Sequence, residues 1–175
     1  MLWLQSLNLD YAFWVTISAI FILLLLSAFF SGSETALTAA SRGKLQTQAD
    51  KGSRAAARAL SITEDNERLI GSVLLGNNLV NILATSLATA LFTKLVGESS
   101  VAIATLVMTI LVLIFAEVLP KTYAITNAER AAARVSAPIA FLVSIFDPIV
   151  SAVRKLVRGI LWLFGVRTSA DEPIL

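Results

Sequence analysis

Three long runs without a charged residue, Tyr11–Ser33, Leu69–Thr93 and Ser99–Ala116, constrain this chain more than any other feature. An α-helix rises about 1.5 Å per residue, so about 20 residues cross a hydrocarbon core of about 30 Å. The first two runs meet that length. The third meets it only if Glu117 and the residues after it also enter the membrane. Of the 175 residues, 57% are apolar and only 15% charged, against about a quarter charged in ordinary soluble domains. The chain therefore reads as an all-α membrane protein with spans at about 11–33, 69–93 and 99–120. The first span is not a cleaved signal peptide, because Asp10 rather than a basic region precedes it.

Basic residues orient the spans. None precedes the first. Arg42, Lys44, Lys51, Arg54, Arg58 and Arg68 lie between the first and second, and only Lys94 lies between the second and third. Lys121, Arg130, Arg134, Arg154, Lys155, Arg158 and Arg167 follow the third. Positive residues stay in the cytoplasm, so the N-terminus is expected outside and the C-terminus inside. A fourth apolar stretch, Val135–Val153, is read differently. Pro138, an Asp147-Pro148 break and the Arg154, Lys155, Arg158 cluster argue against a fourth span. Ile149, Val153, Leu156, Val157, Ile160, Leu163 and Phe164 share one helical face, with the basic residues opposite. The region of about 135–165 is thus expected to form an amphipathic juxtamembrane belt in the cytoplasmic interface. The Ala-rich connection Ala40–Glu67 is expected to form a cytoplasmic helix or helical pair, interrupted at Gly52-Ser53. Arg167–Leu175 reads as a linker.

Polar groups within a membrane are costly, and each span contains some. Ser27 and Ser31 stand i, i+4 and share a face, leading into Ser31-Gly32-Ser33-Glu34. Two readings remain open there. Ser31 caps a new helix with Glu34 reaching back, or a break at Gly32 turns hydroxyls and carbonyls of Ser31 and Ser33 toward a cavity. In the second span Asn77, Asn78 and Asn81 occupy one broad face beside Gly76. A single asparagine is explained as interhelical glue, three less easily. In the third, Glu117 precedes Pro120, which cannot donate to the carbonyl of Ala116 and should kink the helix. Lys121 stands i+4 from Glu117 and offers it a simple salt bridge. With neither cysteine nor histidine in the chain, the available ligands are carboxylate, amide, hydroxyl and carbonyl oxygens. Such donors suit hard cations.

Phe30-Ser31-Gly32-Ser33-Glu34-Thr35-Ala36, Gly76-Asn77-Asn78 with Asn81, and Glu117-Val118-Leu119-Pro120-Lys121 together resemble the CorC/CNNM family of magnesium transporters. The order and spacing of these segments cover almost the whole chain. The resemblance implies a homodimer of three-span subunits and a Mg²⁺ site formed by Ser31, Asn78 and Glu117, with Ser27 and Asn81 as further candidates. Gly32, Ser33, Asn77, Pro120 and Lys121 would supply helix breaks and supporting contacts. It implies Mg²⁺ export with Na⁺ as a coupling ion, a bacterial inner-membrane location, and cytoplasmic CBS domains beyond the point where this chain ends. The alternative is a Mg²⁺-sensing membrane scaffold that does not transport. Without His, Cys or paired carboxylates in a span, an enzyme is not expected. The expected partners are the lipid bilayer and a second copy of the chain, and no nucleic acid.

Overall fold

A computed structural model describes residues 2–166, with side chains from Tyr11 onward, and the residues described are helical with no strand. Helix α1 covers Leu2–Ala39, α2 Arg42–Asp50, α3 Arg54–Glu64 and α4 Asn66–Val96. After a 3₁₀ turn at Glu98–Ser100 come α5 (Val101–Leu111), a π-helical segment (Val112–Val118), α6 (Leu119–Thr126) and α7 (Ala128–Leu163). The linker expected at Arg167–Leu175 lies outside the described residues.

The chain is packed as lipid-embedded proteins are, with small residues inside and large apolar ones outside. Ala36, Ala56, Ala84, Ala116 and Ala132 are fully buried, together with Ser27, Ser31 and Ser136. Trp14, Phe21, Ile82, Leu106 and Leu119 are exposed. Lipid tails are as apolar as leucine, so burying large side chains gains little there. Close backbone approach then supplies the packing. Helix α1 is central and contacts α4, the π segment, α6 and α7.

Two glycines on α4 mark its tightest contacts. A Cβ on Gly76 would lie 2.7 Å from Cζ of Phe30, and one on Gly71 2.9 Å from a methyl of Val150. Gly76→Val should therefore force the buried Phe30 ring aside and cost about 1–3 kcal/mol. Lowered thermal stability in detergent is the expected result, and an unchanged midpoint would show that Phe30 yields freely.

The Ala40–Glu67 connection forms a helical pair. Ser41 caps α2 by accepting from Lys44 N–H, and Ser53 caps α3 by accepting from Ala56 N–H. Between them Gly52 takes φ +94°, a left-handed conformation that glycine adopts without a Cβ penalty.

Two sequence expectations are corrected. Helix α1 runs unbroken through Gly32, so there is neither a break there nor a cap at Ser31; the capping serine is Ser41. One helical glycine costs only about 1 kcal/mol, and here it admits Pro120, whose Cβ lies 3.4 Å from where a Gly32 Cβ would stand. No break occurs at Asp147-Pro148 either, because α7 continues through both Pro138 and Pro148. Buried Ser136, Ile139, Val143 and Val150 fasten the helix on either side of these prolines, and Asp147 pairs with Arg68 of α4. By length and apolarity alone, four helical stretches among the described residues could cross a membrane: Tyr11–Ala39, Asn66–Val96, Glu98–Thr126 and Ala128–Leu163.

Candidate cation site in the helix bundle

The site begins with a helix that changes its winding. Leu119 N–H donates to the carbonyl of Ile114, five residues back, and the turn Val112–Val118 is π-helical. Pro120 follows as one of the first residues of α6. A proline ring clashes with the carbonyl four residues before it, and a wider turn relieves that clash. The kink expected at Pro120 is thus realised as a π segment, which carries Glu117. Close packing of Gly32 on Pro120 then sets the neighbouring Ser31 against the carboxylate.

Three helices converge on Glu117. The Ser31 hydroxyl donates to Oε2 at 2.8 Å, and Asn77 Nδ2 donates to Oε1 at 2.9 Å. Lys121 Nζ lies 3.4 Å from Oε2. Behind them, the Ser27 hydroxyl donates to Asn77 Oδ1 at 2.8 Å, and Asn81 Nδ2 approaches the same oxygen at 3.5 Å. Asn77 is the hub, with contacts to all three helices.

Asn81 and Glu117 also line a cavity of about 290 Å³ with Thr85, Met108, Thr109, Val112 and Leu113. Asn81 Oδ1 is buried and has no hydrogen-bond partner. An orphaned amide oxygen and a carboxylate, on two residues that line the same cavity, form the beginning of a hard-cation donor set. Among the described residues there is no cluster of three or more carboxylates. Glu117 is therefore the one charged oxygen donor here, with neutral oxygens around it.

The structure brings together Ser27, Ser31, Asn77, Asn81, Glu117 and Lys121. It does not bring Asn78 to them. Asn78 is exposed and lines a separate groove between α4 and α7, with Gly71, Leu74, Ile149 and Arg154. Ser33 is buried with its hydroxyl unpartnered. Asn77 therefore holds the place that the sequence reading assigned to Asn78. A signal for this was available. Asn77, Asn81 and Thr85 form an i, i+4, i+8 polar ladder, whereas the residue four after Asn78 is Ile82, 66% exposed. Helix α4 begins at Asn66, three residues before the uncharged run.

Fold and site together define a polytopic helical membrane protein with a partly buried, oxygen-lined polar cluster at one carboxylate. Residues 18–175 match the family model described as the Cyclin M transmembrane N-terminal domain, and this chain belongs to that CNNM family. A "UPF0053 protein" of Haemophilus influenzae is 33% identical over 165 residues, covering 92% of this chain and 39% of the relative. The "UPF0053 inner membrane protein YfjD" of Escherichia coli is 48% identical over 61 residues, 35% of this chain and 14% of the relative. The chain thus spans well under half the length of these relatives. The family resemblance read from the three motifs is borne out.

Proposed function

We propose that this domain transports divalent cations, Mg²⁺ foremost, across the bacterial inner membrane, with the cation held beside Glu117. The observation that carries this reading is that Glu117 lines a cavity together with Asn81, whose buried Oδ1 has no hydrogen-bond partner. An acceptor oxygen that is buried without a donor costs free energy, which a cation ligand would repay. Ser31 and Asn77 complete an oxygen set, since a hydroxyl rotor and an amide can each turn an oxygen toward a cation. Ser27 can follow the Asn77 amide, because a hydroxyl both donates and accepts. A single carboxylate with neutral donors suits a cation that must be released as well as bound. Membership of a family linked with divalent cation transport supports the choice of cargo, and the Escherichia coli relative's name supports the location. Export coupled to Na⁺ entry, a homodimer and cytoplasmic CBS domains complete the proposal on family grounds alone.

Three spans with an interfacial α7 is the topology we favour. Glu129 at the start of α7 receives Ser41 N–H at 3.3 Å and lies 3.4 Å from Lys44 Nζ. Further along α7, Asp147 pairs with Arg68, and Arg154 lies 3.6 Å from Asp65. Ser41, Lys44, Asp65 and Arg68 all lie in the α1–α4 connection or its flanks, on one side of the bundle. The α7 segment from Glu129 to Arg154 is about 38 Å long at 1.5 Å per residue, more than the hydrocarbon core. A helix that long with both ends tied to the same side lies along the membrane better than across it. The positive-inside rule makes that side cytoplasmic.

Mn²⁺ soaked into crystals tests the site directly. Anomalous density is expected between Glu117 and Asn81. Density only in the α4–α7 groove near Asn78 would overturn the assignment.

A further inference from the structure

We propose that Lys121 is a tethered cation, neutralising Glu117 while the site is empty and displaced when a divalent cation enters. The inference rests on the reading of Glu117 as a cation ligand and adds a competitor for that ligand. Every group placed around the carboxylate is acting as a donor: Ser31 O–H at 2.8 Å, Asn77 Nδ2 at 2.9 Å and Lys121 Nζ at 3.4 Å. Both carboxylate oxygens therefore have protein donors. An incoming cation must turn two of these donors around and expel the third. Ser31 and Asn77 each have an oxygen to offer after rotation. An ammonium has no lone pair and can never become a ligand, so Lys121 alone must leave.

Its position makes departure practicable. Lys121 stands i+4 from Glu117, one turn further along, on a flexible four-carbon stem. Its side chain is 43% exposed, against 25% for Glu117, so the ammonium has an open side to move to. No other ion pair with either residue occurs among the described residues. The exchange has two consequences. Lys121 lowers the affinity for the substrate cation, because binding must first break the internal pair. It also makes the empty site electroneutral, so an empty transporter can change conformation without carrying an uncompensated carboxylate through low dielectric.

The test uses the full-length protein in lipid nanodiscs and proteoliposomes, with Mn²⁺ as the probe. Lys121→Gln keeps a hydrogen-bond donor and removes the charge. It is expected to bind Mn²⁺ about fivefold more tightly, the factor that corresponds to one partly exposed ion pair. Net Mn²⁺ efflux from loaded vesicles should fall, while Mn²⁺/Mn²⁺ exchange, which never needs the empty form to move, is retained. Lys121→Arg keeps the charge and should stay at wild-type affinity. Unchanged or weaker Mn²⁺ binding in Lys121→Gln would overturn the proposal and leave Lys121 as a residue that merely orients the carboxylate. Failure of the underlying site is separately visible: Mn²⁺ binding that survives Glu117→Gln would remove the ligand for which Lys121 is said to compete.

Discussion

Glu117→Gln is expected to bring divalent cation flux in proteoliposomes to the background of empty vesicles, while the purified variant still elutes as folded protein. The substitution preserves shape and one carbonyl oxygen. Asn77 Nδ2 can still donate to that oxygen, and the Ser31 hydroxyl can rotate to accept from the new amide, so the bonds that join α1, α4 and the π segment have replacements. The only pairing lost outright is that with Lys121, which is partly exposed and worth about 1 kcal/mol or less. The cation loses far more. With no cluster of carboxylates among the described residues, Glu117 supplies the formal negative charge at this cavity. Mg²⁺ gives up its water reluctantly and needs charged ligands to compensate. A loss of at least about a hundredfold in affinity, about 2.7 kcal/mol, is expected. Isothermal titration alongside the flux assay would measure both, and wild-type flux in the variant would remove Glu117 from the pathway.

The two adjacent asparagines should behave oppositely. Asn77→Ala removes the hub: Ser27 and Asn81 lose their shared acceptor, and Glu117 loses the donor to Oε1. Interhelical hydrogen bonds in membranes average about 0.6 kcal/mol each, so destabilisation of about 1–2 kcal/mol is expected. Transport should fall by at least about tenfold, because one ligand is gone and the carboxylate is no longer aimed. Asn78→Ala touches none of these contacts and should stay within about 0.5 kcal/mol of wild type, with flux retained. Paired melting curves and flux measurements decide the matter. Loss of transport in Asn78→Ala with retention in Asn77→Ala would mean that the transporting state rotates α4 by about one residue relative to this structure.

Those opposite expectations show where the sequence stops informing. Asn77 and Asn78 are neighbours in the same motif and equally polar, so composition and motif order treat them alike. The Asn77, Asn81, Thr85 ladder marks a polar face, but only the rotation of α4 against α1 brings that face to Ser27. That rotation follows from Gly76, whose missing side chain receives the Phe30 ring and so turns Asn77 toward Ser27. Ser27 and Ser31 were legible because one i, i+4 pair in an apolar helix has one polar face. Glu117 was legible because a carboxylate at the end of an apolar run is conspicuous.

The irregular backbone was located correctly at Gly52-Ser53 and Pro120 and wrongly at Gly32 and Asp147-Pro148. Glycine and proline report a local cost of about 1 and 3 kcal/mol in a helix interior, and tertiary contacts decide whether the helix absorbs it. At Gly32 a neighbouring helix fills the space, and α1 continues. At Pro148 the buried Val150 and the Asp147–Arg68 pair hold α7 together. At Pro120 the strain is taken up one turn earlier, in a π segment for which the sequence has no other marker.

The three uncharged runs by themselves determined that this chain is helical and lives in lipid, because a backbone without water must satisfy its own hydrogen bonds. The absence of cysteine and histidine likewise confined any ligand set to hard oxygen donors, whatever the fold. Tertiary structure alone decided which oxygens meet. Side chains from three separate segments converge because Gly76 receives Phe30, Gly32 admits Pro120, and a π turn re-aims Glu117. Periodicity determines the face a residue occupies on its own helix. The register and rotation between helices come from the close packing of small residues, and that information belongs to pairs of segments far apart in the chain.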